Sequence, residues 1–161
     1  MTAQALFRYR LSLGFFIVAL IVSGLTAFPL QWEVAVLDGL TGGAVPGDDH
    51  QLHELARWIG FVHSGISETY SRFPFFGYAT DWLGFGHLVI AMFFLLPFAN
   101  PAKYQAILRI GLVACVGVII VALVGGPIRS IPLGWRLIDC SFGVIGAIPL
   151  LYCLSLTKRL T

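Results

Sequence analysis

Residues Thr80 to Phe98 read TDWLGFGHLVIAMFFLLPF, and how this stretch is taken decides the fold. From Trp82 to Phe98 it is an almost unbroken apolar run, nearly long enough as a helix to cross the ~30 Å hydrocarbon slab of a bilayer. Asp81 stands at its mouth, and His87 lies about five residues, roughly 8 Å, further in. A polar side chain at that depth is costly unless it faces protein, water or a ligand, so a histidine inside a span marks a candidate functional site.

The rest of the chain calls for the same solvent. Of 161 residues, 58% are hydrophobic, 14% aromatic and only 11% charged, and the mean hydropathy is +0.87, which excludes an ordinary soluble domain. Runs at 11–28, 106–125 and 137–156 join 82–98 as predicted spans. The expectation is one membrane domain over residues 1–161, an all-α polytopic four-helix bundle. The opening MTAQALFRYR resembles the n-region of a secretory signal, but it is read here as leading into an uncleaved first span. The links ANPAKYQ and GPIRSIPLGWR are short, which makes consecutive spans antiparallel neighbours.

Charge sets the orientation. With both termini inside, Arg8, Arg10, Lys103, Arg109, Lys158 and Arg159 face the cytoplasm, and Arg57, Arg72, Arg129 and Arg136 face out, the bias of the positive-inside rule. All eight acidic residues fall on the outer side or at its border. No basic patch of the kind that binds nucleic acid is present.

The long outer segment, residues 30–80, carries the informative polar residues. After the glycine-rich turn TGGAVPG, Asp48 and Gln51 have capping-box spacing. Apolar residues then recur at Leu52, Leu55, Ala56, Ile59, Val62 and Ile66, predicting an amphipathic helix over about 50–70 that lies across the top of the bundle. His63 falls on its apolar face, whereas Glu54, Arg57, Ser64 and Glu68 fall on the opposite one with His50, and His53 is at the boundary. The run SRFPFFGYATDW that follows reads as an aromatic belt at the outer interface, with Thr80 as N-cap of the second span and Asp81 in its first turn.

The fourth span begins at the same surface with GWRLIDCSFG, where Arg136 and Asp139 are three apart and share a helix face. Separate segments therefore bring His63, His87, Arg136, Asp139 and Asp81 to one depth, with His53, Arg129 and Cys140 as secondary candidates. Two histidines and a carboxylate would suit Zn, Fe or Mn, although no H-x-x-H or H-E-x-x-H pair sits on a buried face. A small polar ligand or a quinone headgroup would use His87 for a hydrogen bond and an Arg136 held by Asp139. A b-type haem wants two axial ligands from spans, and only one histidine lies within a span. A purely structural polar network, with an Arg136–Asp139 ion pair and a helix-bridging His87, fits the same residues.

Cys115, Cys140 and Cys153 form no C-x-x-C or C-x-x-C-H, which argues against c-type haem and a zinc ribbon and reads as packed free thiols. Gly111 and Cys115 in the third span, and Gly143 and Ala147 in the fourth, are small residues at helical spacing that permit close approach of backbones. No nucleophile elbow or phosphate loop is present, and no catalytic residue is assigned.

The runs WRLIDCSFGVIG and YATDWLGFGHL resemble those of small uncharacterised bacterial four-span integral membrane proteins. The resemblance covers about half of the chain. It implies a bacterial inner membrane and brings no activity with it. Two functions follow as expectations: a periplasmic-end cluster that binds a metal ion or small polar ligand, or an accessory or structural subunit of a larger respiratory or photosynthetic membrane complex.

Overall fold

Four helices are long and apolar enough to cross a membrane: Ala3–Thr26, Pro74–Ala99, Gln105–Ile128 and Leu133–Thr157. At a rise of 1.5 Å per residue, 24 residues reach about 36 Å, so even the shortest exceeds the hydrocarbon thickness. The computed structural model describes residues 3–41 and 50–157, and of residues 50–53 the backbone alone. In chain order the elements are α1 (Ala3–Thr26), α2 (Leu30–Leu40), α3 (His50–Arg72), a 3₁₀ turn (Pro74–Phe76), α4 (Gly77–Ala99), α5 (Gln105–Ile120), a π turn (Val121–Gly125), the short α6 (Gly126–Ile128) and α7 (Leu133–Thr157). Among the described residues there is no strand. The chain is an all-α four-helix membrane bundle, and the second span starts earlier than its apolar run suggests.

Each span buries one narrow stripe. Tyr9, Leu13 and Ile17, four apart on α1, meet Ala91 and Phe94 of α4, Leu108 and Cys115 of α5, and Leu150 and Cys153 of α7 in one core. Only about a fifth of each span's most apolar window is buried inside the protein, so most of the Val, Leu and Phe surface is left for lipid. Hydrophobic burial therefore does not drive one span onto another, and close packing of small residues has to.

The contacts show where this happens. A Cβ on Gly84 would lie 2.7 Å from the Gly24 carbonyl oxygen and 2.8 Å from the Phe28 ring, so α1 and α4 cross backbone to backbone. A Cβ on Gly143 would lie 2.5 Å from the Cys115 carbonyl oxygen, and one on Gly111 would meet the Phe94 ring at 2.7 Å. The small-residue positions expected in the third and fourth spans thus lie at the α5–α7 contact. All three cysteines are free, Cys115 and Cys153 buried and Cys140 half-buried.

At the end where α1 begins and α4 ends, the fully buried Tyr9 hydroxyl donates to the Pro97 carbonyl at 3.1 Å. That carbonyl is in the last turn of α4, where helix carbonyls lack an intrahelical partner, so the bond satisfies two groups together.

The opposite end carries a lid. α3 matches the expected amphipathic helix and extends it to Arg72. α2, formed by LQWEVAVLDGL, is an addition to the elements expected from the sequence. The two helices pack together over Val34, Ala56 and Ile59, all buried, and α3 meets α7 where Leu55 covers Gly134, 3.3 Å from where a Cβ would stand. The capping box expected at Asp48 and Gln51 lies outside the described residues, as do Lys158 and Arg159.

Thr80 is not an N-cap, contrary to the expectation. The 3₁₀ turn at Pro74–Phe76 runs directly into α4 at Gly77, so Thr80 is already inside the helix. Its hydroxyl donates back to the Gly77 carbonyl at 2.7 Å and lies 3.3 Å from the Tyr70 hydroxyl. Asp81 accordingly sits half-buried in the second turn. Phe73, Phe75, Phe76, Tyr78 and Trp82 are all exposed around this junction, the position of an interfacial aromatic belt.

Candidate functional site at the lid end

α2 brings a residue that the sequence reading did not single out. Asp38 lies four residues beyond the buried Val34, on the same face of α2, and crosses α3 at Gly60, where a Cβ would stand 3.2 Å from its Oδ1. Its Oδ2 accepts a hydrogen bond of 2.8 Å from Nδ1–H of His63. The two side chains are 25% and 32% exposed, so the pair is shielded but reachable. An ionised carboxylate only accepts, which assigns a proton to Nδ1; when the ring carries that proton alone, Nε2 is an acceptor.

His63 also lines a shallow open groove of about 440 Å³ with Phe28, Pro29, Gln31, Trp32, Ala35 and Tyr70. The walls come from the α1–α2 corner, from α2 and from α3. Three aromatic side chains, one amide and one imidazole make a surface that is mainly apolar with a few placed polar groups, the usual composition of a small-molecule site. Trp32 is 68% exposed, so the groove opens at the side of the lid.

His87 is half-buried in α4. Its Nδ1–H donates to the Leu83 carbonyl of its own helix at 2.9 Å, and its Cβ would stand 3.0 Å from a Cβ on Gly24. It therefore sits in the α1–α4 seam. Among the described residues no three His, Cys, Asp or Glu side chains come together in a group that could hold a metal ion, so His63, His87 and Asp139 do not assemble into the expected Zn, Fe or Mn set.

The Arg136–Asp139 ion pair is absent too: the ion pairs among the described residues are His63–Asp38 and the exposed Arg72–Glu68. A spacing of three permits the pair, but the Arg136 stem turns away across Gly126, where a Cβ would collide with its Cδ and lie 2.7 Å from its Cγ. Gly126 immediately follows the π turn Val121–Gly125, so the widened backbone of the third span ends at the glycine that receives this side chain. Arg136 Nε and Trp58 Nε1 are both buried without a hydrogen-bond partner among the described residues. Arg129 is exposed and Cys140 half-buried, and the side chain of His53 lies outside the described residues.

Among the missed residues, Asp38 had a readable signal, because its four-residue offset from Val34 places it on the apolar face of a short helix. Compared with protein-family models, with curated proteins and with solved structures, the chain matches none.

Proposed function

We propose that this chain is a bacterial inner-membrane protein that binds a small ligand at the periplasmic end of its bundle, in the groove between α1, α2 and α3. The observation that carries the reading is the Asp38–His63 pair at the rim of an aromatic groove. The carboxylate orients the imidazole and offers its second nitrogen as an acceptor, while Phe28, Trp32 and Tyr70 suit an apolar or aromatic body. The ligand this favours is small and amphipathic, with a hydroxyl or N–H head, as in a quinol. His87, Asp81, Asp139 and Arg136 support the same end of the bundle without lining the groove. No catalytic role is assigned to any of them.

Trp32 makes the reading measurable. Titrating the detergent-solubilised protein with a short-chain benzoquinol should quench its tryptophan fluorescence saturably. His63→Ala and Asp38→Asn should weaken the apparent affinity by about tenfold, equivalent to about 1.4 kcal/mol, and Trp32→Phe should abolish the signal. Equal affinities in wild type and His63→Ala would refute the role given to the pair. The accessory-subunit reading rests on the wide lipid-facing surface, and it would prevail if the protein left the membrane only together with a stoichiometric partner.

A further inference from the structure

Two protons set the polarity of the groove. In the Asp38–His63 pair the carboxylate takes the Nδ1–H of the ring, which leaves Nε2 for any further partner. Tyr70 lines the same groove. The single hydroxyl proton of Thr80 goes to the Gly77 carbonyl at 2.7 Å, so across the 3.3 Å contact between Tyr70 and Thr80 the phenol is the donor. Tyr70 therefore meets a ligand only as an acceptor. With the imidazole neutral, both groups accept, which suits a hydroxyl or N–H head and sets lone pairs against a carbonyl.

One more proton reverses half of this. Imidazole changes its charge between about pH 5 and pH 8, and in the imidazolium both ring nitrogens donate. Nε2–H then answers a carbonyl oxygen. The counter-ion is already in place, since Asp38 Oδ2 lies 2.8 Å from the ring. Other charges stand apart from the pair. α3 packs on α2, on the 3₁₀ turn and on α7. On α2, Glu33 is turned away from the face that carries Val34 and Asp38, and the 3₁₀ turn PFF has no titratable group. α7, with Arg136 and Asp139, meets α3 where Leu55 covers Gly134, about 12 Å along the helix from His63. On α3 itself Glu54, Arg57, Glu68 and Arg72 are exposed on the side opposite His63. Asp48 and Asp49 lie outside the described residues, ahead of a helix that starts at His50, about 20 Å of helix before His63.

We infer that the groove is a proton-linked selector: it takes the quinol form of its ligand when His63 is neutral and the quinone form when His63 is protonated. The inference rests on the reading of the groove as a small-ligand site and adds a second, acceptor-headed class of ligand to it. Because linkage is reciprocal, the quinone binds with uptake of a proton from water. A quinol hydroxyl can still accept from Nε2–H, so the larger change with pH falls on the quinone. Only binding is assigned to the groove, and both forms arrive ready made.

The test uses the full chain in maltoside detergent without oxygen, titrated calorimetrically with tetramethyl-p-benzoquinone and, separately, with its quinol at about pH 8 and about pH 5.5. The ring methyl groups keep the quinone from adding to the free cysteines. The ratio of quinone to quinol affinity should rise about tenfold or more on acidification. Quinone binding near neutral pH should take up protons, read as heats that differ between buffers of different ionisation enthalpy. In His63→Gln the ratio should no longer move with pH, in Asp38→Asn its change should shrink, and in Glu54→Gln it should match wild type. Asp38→Asn keeps the shape of the side chain, so it decides the matter if His63→Gln does not fold. If neither form binds wild type at either pH, the groove reading falls and the selector with it. If the quinol binds through His63 but the ratio is constant with pH, the groove stands and the selector is overturned. A full pH response in both His63→Gln and Asp38→Asn overturns it equally, because the proton then belongs to another group.

Discussion

Asp38 and His63 show how much a single side chain can say once its neighbours are known. His63 stood out in the sequence because it falls on the apolar face of an amphipathic helix, and in the fold its half-buried position is explained by a carboxylate 2.8 Å away. The signal for Asp38 was a weak one, its four-residue offset from Val34, because an eleven-residue helix between Pro29 and the glycine-rich turn shows little periodicity. Thr80 fails as an N-cap because the aromatic, proline-containing run ahead of it already begins the helix. Other side chains carry predictions of their own. Ser130, between α6 and α7, has φ of 57°, a left-handed conformation that costs a non-glycine residue about 1 kcal/mol or more. Ser130→Gly should therefore raise the unfolding free energy by up to about 1 kcal/mol in a detergent thermal melt, and a lowered midpoint would mean that the hydroxyl is needed. Tyr9→Phe removes the bond to the Pro97 carbonyl and should lower stability by roughly 0.5–2 kcal/mol while leaving the lid-end groove and its ligand affinity unchanged.

For the helices the controlling quantity is how closely two backbones can approach. Small residues in the third and fourth spans were legible as packing positions, and Gly111 and Gly143 do sit against Phe94 and Cys115. The GFG run of the second span divides in a way that composition could not reveal. Gly84 faces α1 with no room for a methyl group, whereas a Cβ on Gly86 would meet nothing within 4 Å. The sequence contains both glycines, but the rotation of α4 is set by its partner. Gly84→Leu should push α1 and α4 apart and cost about 1–3 kcal/mol, as overpacking does. Gly86→Ala should be neutral or stabilising by up to about 1 kcal/mol. Thermal melts of the two variants side by side check this, and equal midpoints would contradict the crossing at Gly24 and Gly84.

Across the whole molecule, the number of spans and the lid were readable because hydrocarbon thickness and helical periodicity act on long stretches of sequence. The arrangement of the polar groups was not readable, because it depends on where side chains turn once the helices have docked. Arg136 turns to Gly126 and not to Asp139, His87 turns to its own helix, and His63 turns to α2. What joins these groups into one end of one molecule is the seating of α3 on α7 through Leu55 and Gly134. Placing cysteines at both positions in a background free of Cys115, Cys140 and Cys153 tests that seating in native membranes. Mild oxidation should link Leu55→Cys to Gly134→Cys rapidly within one chain, and should not link Leu55→Cys to a cysteine at Lys103 at the far end of the bundle. An absent 55–134 link, or one formed only between chains, would contradict the account.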